Sequence, residues 1–235
     1  GRVRLSSFDL LHLPGGFSYG DDLGSGQVFA NRIRLGRHDD GSKVLDSVAA
    51  FLAAGGRIIG ICNGFQILVR AGLVPNIGGG FVQQVALAAN ACGHFVDRWV
   101  RCRTAGYSAL SLGDRTFDLP VRHGEGRLVF GSPELRDLAQ EMGLVGLQYV
   151  DAQGWPAHNE PDNPNGAELA GAALHSADGQ VFGLMPHPEA YLTFINHPDW
   201  AGRRRRNQDS DEAAQTGQAF FAAWVAGAAA SRRSR

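Results

Sequence analysis

Residues 57–72 constrain this chain more than any other stretch. Arg57-Ile58-Ile59-Gly60-Ile61 has the length and β-branched content of a buried strand, and residues 63–71, closed by Gly72, have the spacing of a helix. Only Cys62 lies between them, with Gly60 and Gly64 two positions to either side. A strand that becomes a helix across one residue needs a strained turn, and small residues at those two positions let the neighbouring backbone pass closely. The sulfur then lies at a helix N-terminus, whose dipole favours thiolate. Strand, G-x-C-x-G and helix form a nucleophile elbow with cysteine in place of serine. Most free cysteines are small buried hydrophobes, and Cys92 and Cys102, which lack this context, keep that reading.

The rest of the chain alternates in the same way. Phe8–Leu13 reads as a strand stopped by Pro14-Gly15-Gly16, and residues 43–54 as a helix with Asp40 and Ser42 as candidate caps. Ser132-Pro133-Glu134 opens a helix that runs to Gly143, followed by a strand over 144–151. Residues 170–175 and 181–184 form a hairpin around Asp178-Gly179, and 213–226 a closing helix with Phe220, Phe221, Trp224 and Val225 on its apolar side. This order predicts an α/β fold: a doubly wound, mostly parallel sheet with helices on both faces, and antiparallel edge strands from 94–102 and 144–185. We expect residues 1–235 to form one domain with a frayed basic tail at Arg232–Arg235, and Arg203–Arg206 to be a solvated loop.

Composition excludes several functions. A formal net charge of −1 argues against a general polyanion binder, so no nucleic-acid partner is expected. No apolar run approaches the ~20 residues of a membrane span, and no signal peptide opens the chain. Three cysteines make no disulfide framework and suit a reducing cytoplasm. The 32 glycines are about twice the usual ~7% share and, without a repeat, point to many tight turns.

A cysteine nucleophile needs a base, and the base an orienting group. Met185-Pro186-His187-Pro188-Glu189 supplies both, because residues two apart in an extended segment point to one side. After the first strand, Gly15 and Gly16 within Pro14–Asp21 offer backbone N–H groups that, with the N–H after Cys62, make an oxyanion hole. No Gly-Lys-Ser/Thr follows, so this is not a nucleotide-phosphate loop, and no metal site is expected.

G-I-C-N-G-F-Q at 60–66, P-G-G-F-S-Y-G-D at 14–21, H-G-E-G-R at 123–127, N-P-N-G at 163–166 and M-P-H-P-E at 185–189 occur in order. Together they resemble the class I, triad-type glutamine amidotransferases, and within them the glutaminase components of phosphoribosylformylglycinamidine synthases. The resemblance spans about residues 8–195. It implies that Cys62 is the nucleophile, His187 the acid/base and Glu189 its orienter. Gly16 and Asn63 would supply oxyanion N–H groups, Gly15 would shape the turn, and Gln66 with His123, Gly124, Glu125 and Gly126 would line the glutamine pocket. Asn163 and Asn165 match a motif position to which the residues themselves assign no role beyond a turn. Asp22-Leu23-Gly24-Ser25-Gly26 departs from the bulkier, often arginine-bearing stretch of the family.

The resemblance implies no cofactor in this chain. It implies a synthetase subunit or domain that uses ATP and magnesium to convert formylglycinamide ribonucleotide with the ammonia released here. It also implies a strand and helix ahead of residue 8 that this sequence lacks. The loops at 14–26 and 123–127 are rich in glycine, which predicts mobility and a pocket completed by partner docking. The alternatives are a cysteine hydrolase of the same fold acting on another amide or peptide, and a regulatory module without catalysis.

Overall fold

The computed structural model describes residues 4–105, 112–206 and 216–233. In chain order the elements are β1 (Leu10–Leu13), α1 (Gln27–Leu35), α2 (Val44–Ala53), β2 (Arg57–Ile61), α3 (Asn63–Arg70), β3 (Val85–Ala89), β4 (Val96–Thr104), β5 (Thr116–His123), β6 (Glu125–Phe130), α4 (Pro133–Glu141), β7 (Val145–Tyr149), β8 (Gly171–His175), β9 (Val181–Leu184), α5 (Trp200–Arg205) and α6 (Thr216–Arg233). The main sheet has the order β1-β2-β9-β8-β7-β4-β5, and β3 pairs with β6 in a separate antiparallel ribbon.

Only β1, β2 and β9 pair in parallel, with Leu13 opposite Gly60 and Ile61 opposite Leu184. The other four pairings are antiparallel, so the antiparallel strands make up the larger part of the sheet rather than a trim at its edge. The sheet also curls: β5 ends the row, yet the Pro120 carbonyl accepts the His187 N–H at 2.8 Å, just beyond β9.

Helices cover both faces of the sheet. Successive residues of a strand point to opposite faces. On β9, Phe182 meets Trp224 of α6 edge-on at 5.9 Å, while a Cβ on the next residue, Gly183, would lie 2.0 Å from the Phe65 ring of α3. So α6 and α3 lie on opposite sides of β9. Full burial of Phe65, Phe182, Phe220, Ile58, Ile59 and Leu68 welds these layers; each such side chain contributes roughly 1.5–3 kcal/mol.

The caps show where local chemistry governs. Ser132 accepts the Leu135 N–H and Pro133 follows it, as expected of α4. At α2 the expectation fails: the N-cap is Lys43, and Asp40 instead accepts from the Ser42 N–H and hydroxyl, closing its own turn. The closing helix buries Phe220 and Trp224, four apart on one stripe, but Val225 is 60% exposed because one residue further turns it about 100° away. Arg203–Arg205 lie in α5 rather than a loop, where Arg203 pairs with Asp118, and Arg206 just beyond pairs with Asp199 at 2.6 Å. Residues 213–215 and 234–235 of the expected closing helix and basic tail lie outside the described residues.

Candidate active site

Because β1, β2 and β9 run parallel, their C-terminal ends deliver three segments to one edge of the sheet: Pro14–Gly16, Cys62 and Met185–Glu189. Cys62 is the pivot, at φ 49° and ψ −103°, in a region that L-residues avoid. The close approach that forces this turn is visible at Gly64, where a Cβ would stand 2.0 Å from the Leu13 carbonyl oxygen. The side chain of Cys62 is buried, and its Sγ lies 3.5 Å from the Arg122 carbonyl of β5.

His187 and Glu189 converge as their spacing predicts. His187 Nδ1 and Glu189 Oε1 are 2.5 Å apart, with His187 buried. Cys62 and His187 meet across Gly15: a Cβ there would lie 3.0 Å from His187 Cε1 and 3.6 Å from Cys62 Cβ. Burial alone would press His187 down, but the Cys62 thiol and the Glu189 carboxylate outweigh it and lift its pKa to about 9. The ring is therefore poised as imidazolium beside the sulfur. Gly16 is exposed on the loop after β1, at φ 137°, and Asn63 heads α3 directly after Cys62.

The expected pocket residues are tied to one another. Asn63 Oδ1 accepts from the Ser18 N–H at 3.3 Å, and its Nδ2 donates to Gln66 Oε1 at 3.0 Å. Gln66 Nε2 donates to the Glu125 carbonyl at 2.6 Å. The side chains of Asn63 and Gln66 thus act as struts between the first loop, α3 and the turn at 123–126.

The Glu125 carboxylate is engaged by Arg70, a residue the sequence did not single out. Arg70 donates to Glu125 Oε2 at 3.2 Å, to the Ser25 carbonyl at 2.9 Å and to Gln27 Oε1 at 2.6 Å. It thereby clamps the two glycine-rich loops to the elbow helix, and its guanidinium lies against Gly24 in the stretch that departs from the family. A signal existed, since Arg70 stands one helical turn after Gln66 on the same face.

Side-chain and backbone bonds hold the turn at 123–126, where the glycines predict mobility. Asn90 N–H donates to the Gly124 carbonyl, Asn90 Nδ2 to the His123 carbonyl at 2.8 Å, and Asn165 Nδ2 to the Gly126 carbonyl at 2.9 Å. Asn163 and Asn165 are fully buried. Asn163 Oδ1 caps the Gly166 and Ala167 N–H groups, so it is a turn residue, whereas Asn165 also braces the pocket loop. His123 itself is 2% exposed, and burial, reinforced by the nearby His187, lowers its pKa to about 4.

Cys92 and Cys102 stay outside the site. Cys92 Sγ lies 3.5 Å from the His94 carbonyl, and Cys102 is completely buried on β4, where burial and then Asp118 push its thiol up. Among the described residues no helix is long and apolar enough to cross a membrane.

Known proteins resemble this chain over most of its length. A family model described as a CobB/CobQ-like glutamine amidotransferase domain matches residues 1–225. A phosphoribosylformylglycinamidine synthase subunit PurQ from Dehalococcoides mccartyi is 38% identical over 200 residues, covering 84% of this chain and 73% of the relative. The Thermomicrobium roseum subunit of that name is 41% identical over 201 residues, covering 83% and 75%. Among solved structures, PurLQS from Thermotoga maritima aligns with a TM-score of 0.62 and 27% identity over 93% of this chain and 81% of that one. A glutamine amidotransferase from the same organism shares the fold at a TM-score of 0.51 and 11% identity, over 96% and 80%. Elbow, histidine and pocket motifs thus coincide with matches over most of the sequence, and the chain belongs to the glutamine amidotransferases, in the family of phosphoribosylformylglycinamidine synthase PurQ subunits.

Proposed function

We propose that Cys62, His187 and Glu189 hydrolyse glutamine, and that the ammonia serves a synthetase making formylglycinamidine ribonucleotide in purine biosynthesis. The observation that supports this most is the convergence of a strained cysteine, a histidine lifted to about 9 and its carboxylate partner at the ends of parallel strands.

The Cys62 thiolate attacks the side-chain amide carbon, and the Gly16 and Asn63 N–H groups receive the oxyanion. The His187 imidazolium gives its Nε2 proton to the amide nitrogen, the C–N bond breaks, and ammonia leaves a γ-glutamyl thioester. Neutral His187 then takes a proton from water as the oxygen attacks the thioester, which frees glutamate and regenerates the thiolate. Glu189 holds Nδ1–H throughout, so Nε2 stays turned to the reacting atoms. Gly15, Gln66, His123, Gly124 and Glu125 shape the glutamine pocket.

Free ammonia is protonated and lost at neutral pH, so this reading places ATP and magnesium on the synthetase and couples the two sites. The many bonds at 123–126, and those that hold the first loop at Ser18 and Ser25, leave the exposed turn at Gly16 as the part that docking orders. One misplaced oxyanion donor costs roughly 10²–10³ in rate. Weak glutaminase activity from the chain alone, rising by that order with synthetase and its substrate bound, is the expected result. Full activity that the partner leaves unchanged would contradict the coupling. A cytoplasmic location is part of the reading, supported by three free cysteines.

A further inference from the structure

Asn90 directly follows β3, outside every motif of the sequence, yet its buried side chain bonds mainly to the turn at 123–126. Its Nδ2 lies 3.0 Å from the His94 carbonyl and 2.8 Å from the His123 carbonyl, so both amide hydrogens have acceptors. Its Oδ1 accepts the Gly126 N–H at 3.2 Å and lies 3.1 Å from His123 Nδ1. These neighbours allow one orientation of the amide, with the oxygen facing the ring. An amide oxygen only accepts, so His123 Nδ1 must carry the proton, and in the neutral ring Nε2 is then a bare lone pair.

That lone pair is buried and makes no hydrogen bond among the described residues. Such an acceptor is costly to leave unmatched. The ring packs over Gly126, where a Cβ would lie 2.4 Å from His123 Cε1, so only glycine leaves the ring its place, and the Asn90 amide holds it there. His123 also directly follows Arg122, whose carbonyl touches Cys62 Sγ.

We propose that Asn90 is a positioning residue: its amide locks His123 in the Nδ1–H tautomer and so presents the Nε2 lone pair to an N–H of the bound amide substrate. This rests on the glutaminase reading above. A histidine held in this way accepts a hydrogen bond without giving up a proton, which complements His187, the proton donor of the same site. The titratable groups around it are His187 beyond β9, Cys62 beside Arg122, and Glu125 on its own turn, whose carboxylate is tied to Arg70.

The test combines nitrogen-15 spectra of the histidine rings in the full chain with glutamine kinetics of the complex. Wild type should show His123 with a proton on Nδ1 and none on Nε2 near neutral pH. Asn90→Ala should release the tautomer and raise KM for glutamine about tenfold, one hydrogen bond's worth, with a smaller change in kcat. Asn90→Asp keeps the acceptor for His123 Nδ1 but turns a charged oxygen, in place of the NH2, towards the His94 and His123 carbonyls, so His123 should gain a proton near neutrality, and KM should recover in part as the pH is raised. A merely structural role predicts that both variants lose activity alike, with no such recovery. A proton on Nε2 in wild type, or an unchanged tautomer and KM in Asn90→Ala, would overturn the proposal. If the complete complex failed to hydrolyse glutamine, the reading of the site would fall, while the spectra would still decide the tautomer.

Discussion

Two buried histidines, His187 beside the Cys62 sulfur and His123 one residue beyond the Arg122 carbonyl that touches it, are shifted in opposite directions. His187 leaves a strand end, meets a carboxylate at 2.5 Å and a thiol, and is lifted to about 9. His123 ends β5, meets an uncharged amide and a second histidine, and is pressed to about 4. Burial lowers both; only the partner differs. On the mechanism proposed above, one region delivers a proton and the other refuses one, so that a single site gains a donor and an acceptor without changing residue type.

The sharpest way to break the His187 side of this comparison is to remove what it serves. Cys62→Ala should lower glutamine hydrolysis by on the order of 10⁵-fold or more. Synthesis from added ammonium salts by the complex should persist, because the synthetase does not use the thiolate. Cys92→Ala and Cys102→Ala should keep glutaminase activity; loss of activity in either would move the nucleophile. Glu189→Gln comes next. It removes the charge but not the shape, so the rate should fall by on the order of 10³–10⁴-fold. The alkaline limb of kcat against pH should also move below about 9; an unmoved limb would mean that Glu189 does not support the imidazolium.

Arg70→Ala tests whether the two loops depend on one clamp. Losing charged hydrogen bonds to Glu125 and Ser25 should raise KM for glutamine roughly tenfold, with partial rescue by Arg70→Lys. An unaffected KM would show that the bonds to Asn90 and Asn165 suffice. The smallest effect is on stability. His187, raised when folded, contributes stability that is complete below about 6.5 and is lost as pH rises through about 9. His123, depressed when folded, resists a proton the unfolded chain accepts, so stability should fall as pH drops from about 6.5 towards 4. Urea titrations across both windows should show these opposite slopes. Replacing His123 with Asn should flatten only the acid one; a change on the alkaline side instead would reverse the assignment.

The two regions also differ in how far the sequence reveals them. The elbow is legible because everything that makes it is local: a β-branched strand, one cysteine between glycines, a periodic helix. His187 and Glu189 are legible because period-two spacing brings them together. Asn90 is not, since the His123 ring and the backbone groups it holds at 123–126 lie 33 to 36 residues further along the chain, and nothing near it in sequence reports that contact. Helix α1 is not legible for a different reason. It buries only Ala30 and Ile33, too few for an apolar stripe, and its place depends on packing against α2 and α3. The extent of antiparallel pairing was likewise hidden, because apolar runs give no strand direction.

In the proposed mechanism the Cys62 Sγ takes the acyl group, and every later step follows from that bond. Rapid acid quench of the complex turning over glutamine, followed by peptide mass spectrometry, reads that directly. The γ-glutamyl adduct should appear on the peptide containing Cys62 and vanish in Cys62→Ala. An adduct on Cys92 or Cys102, or hydrolysis undiminished in Cys62→Ala, would contradict it.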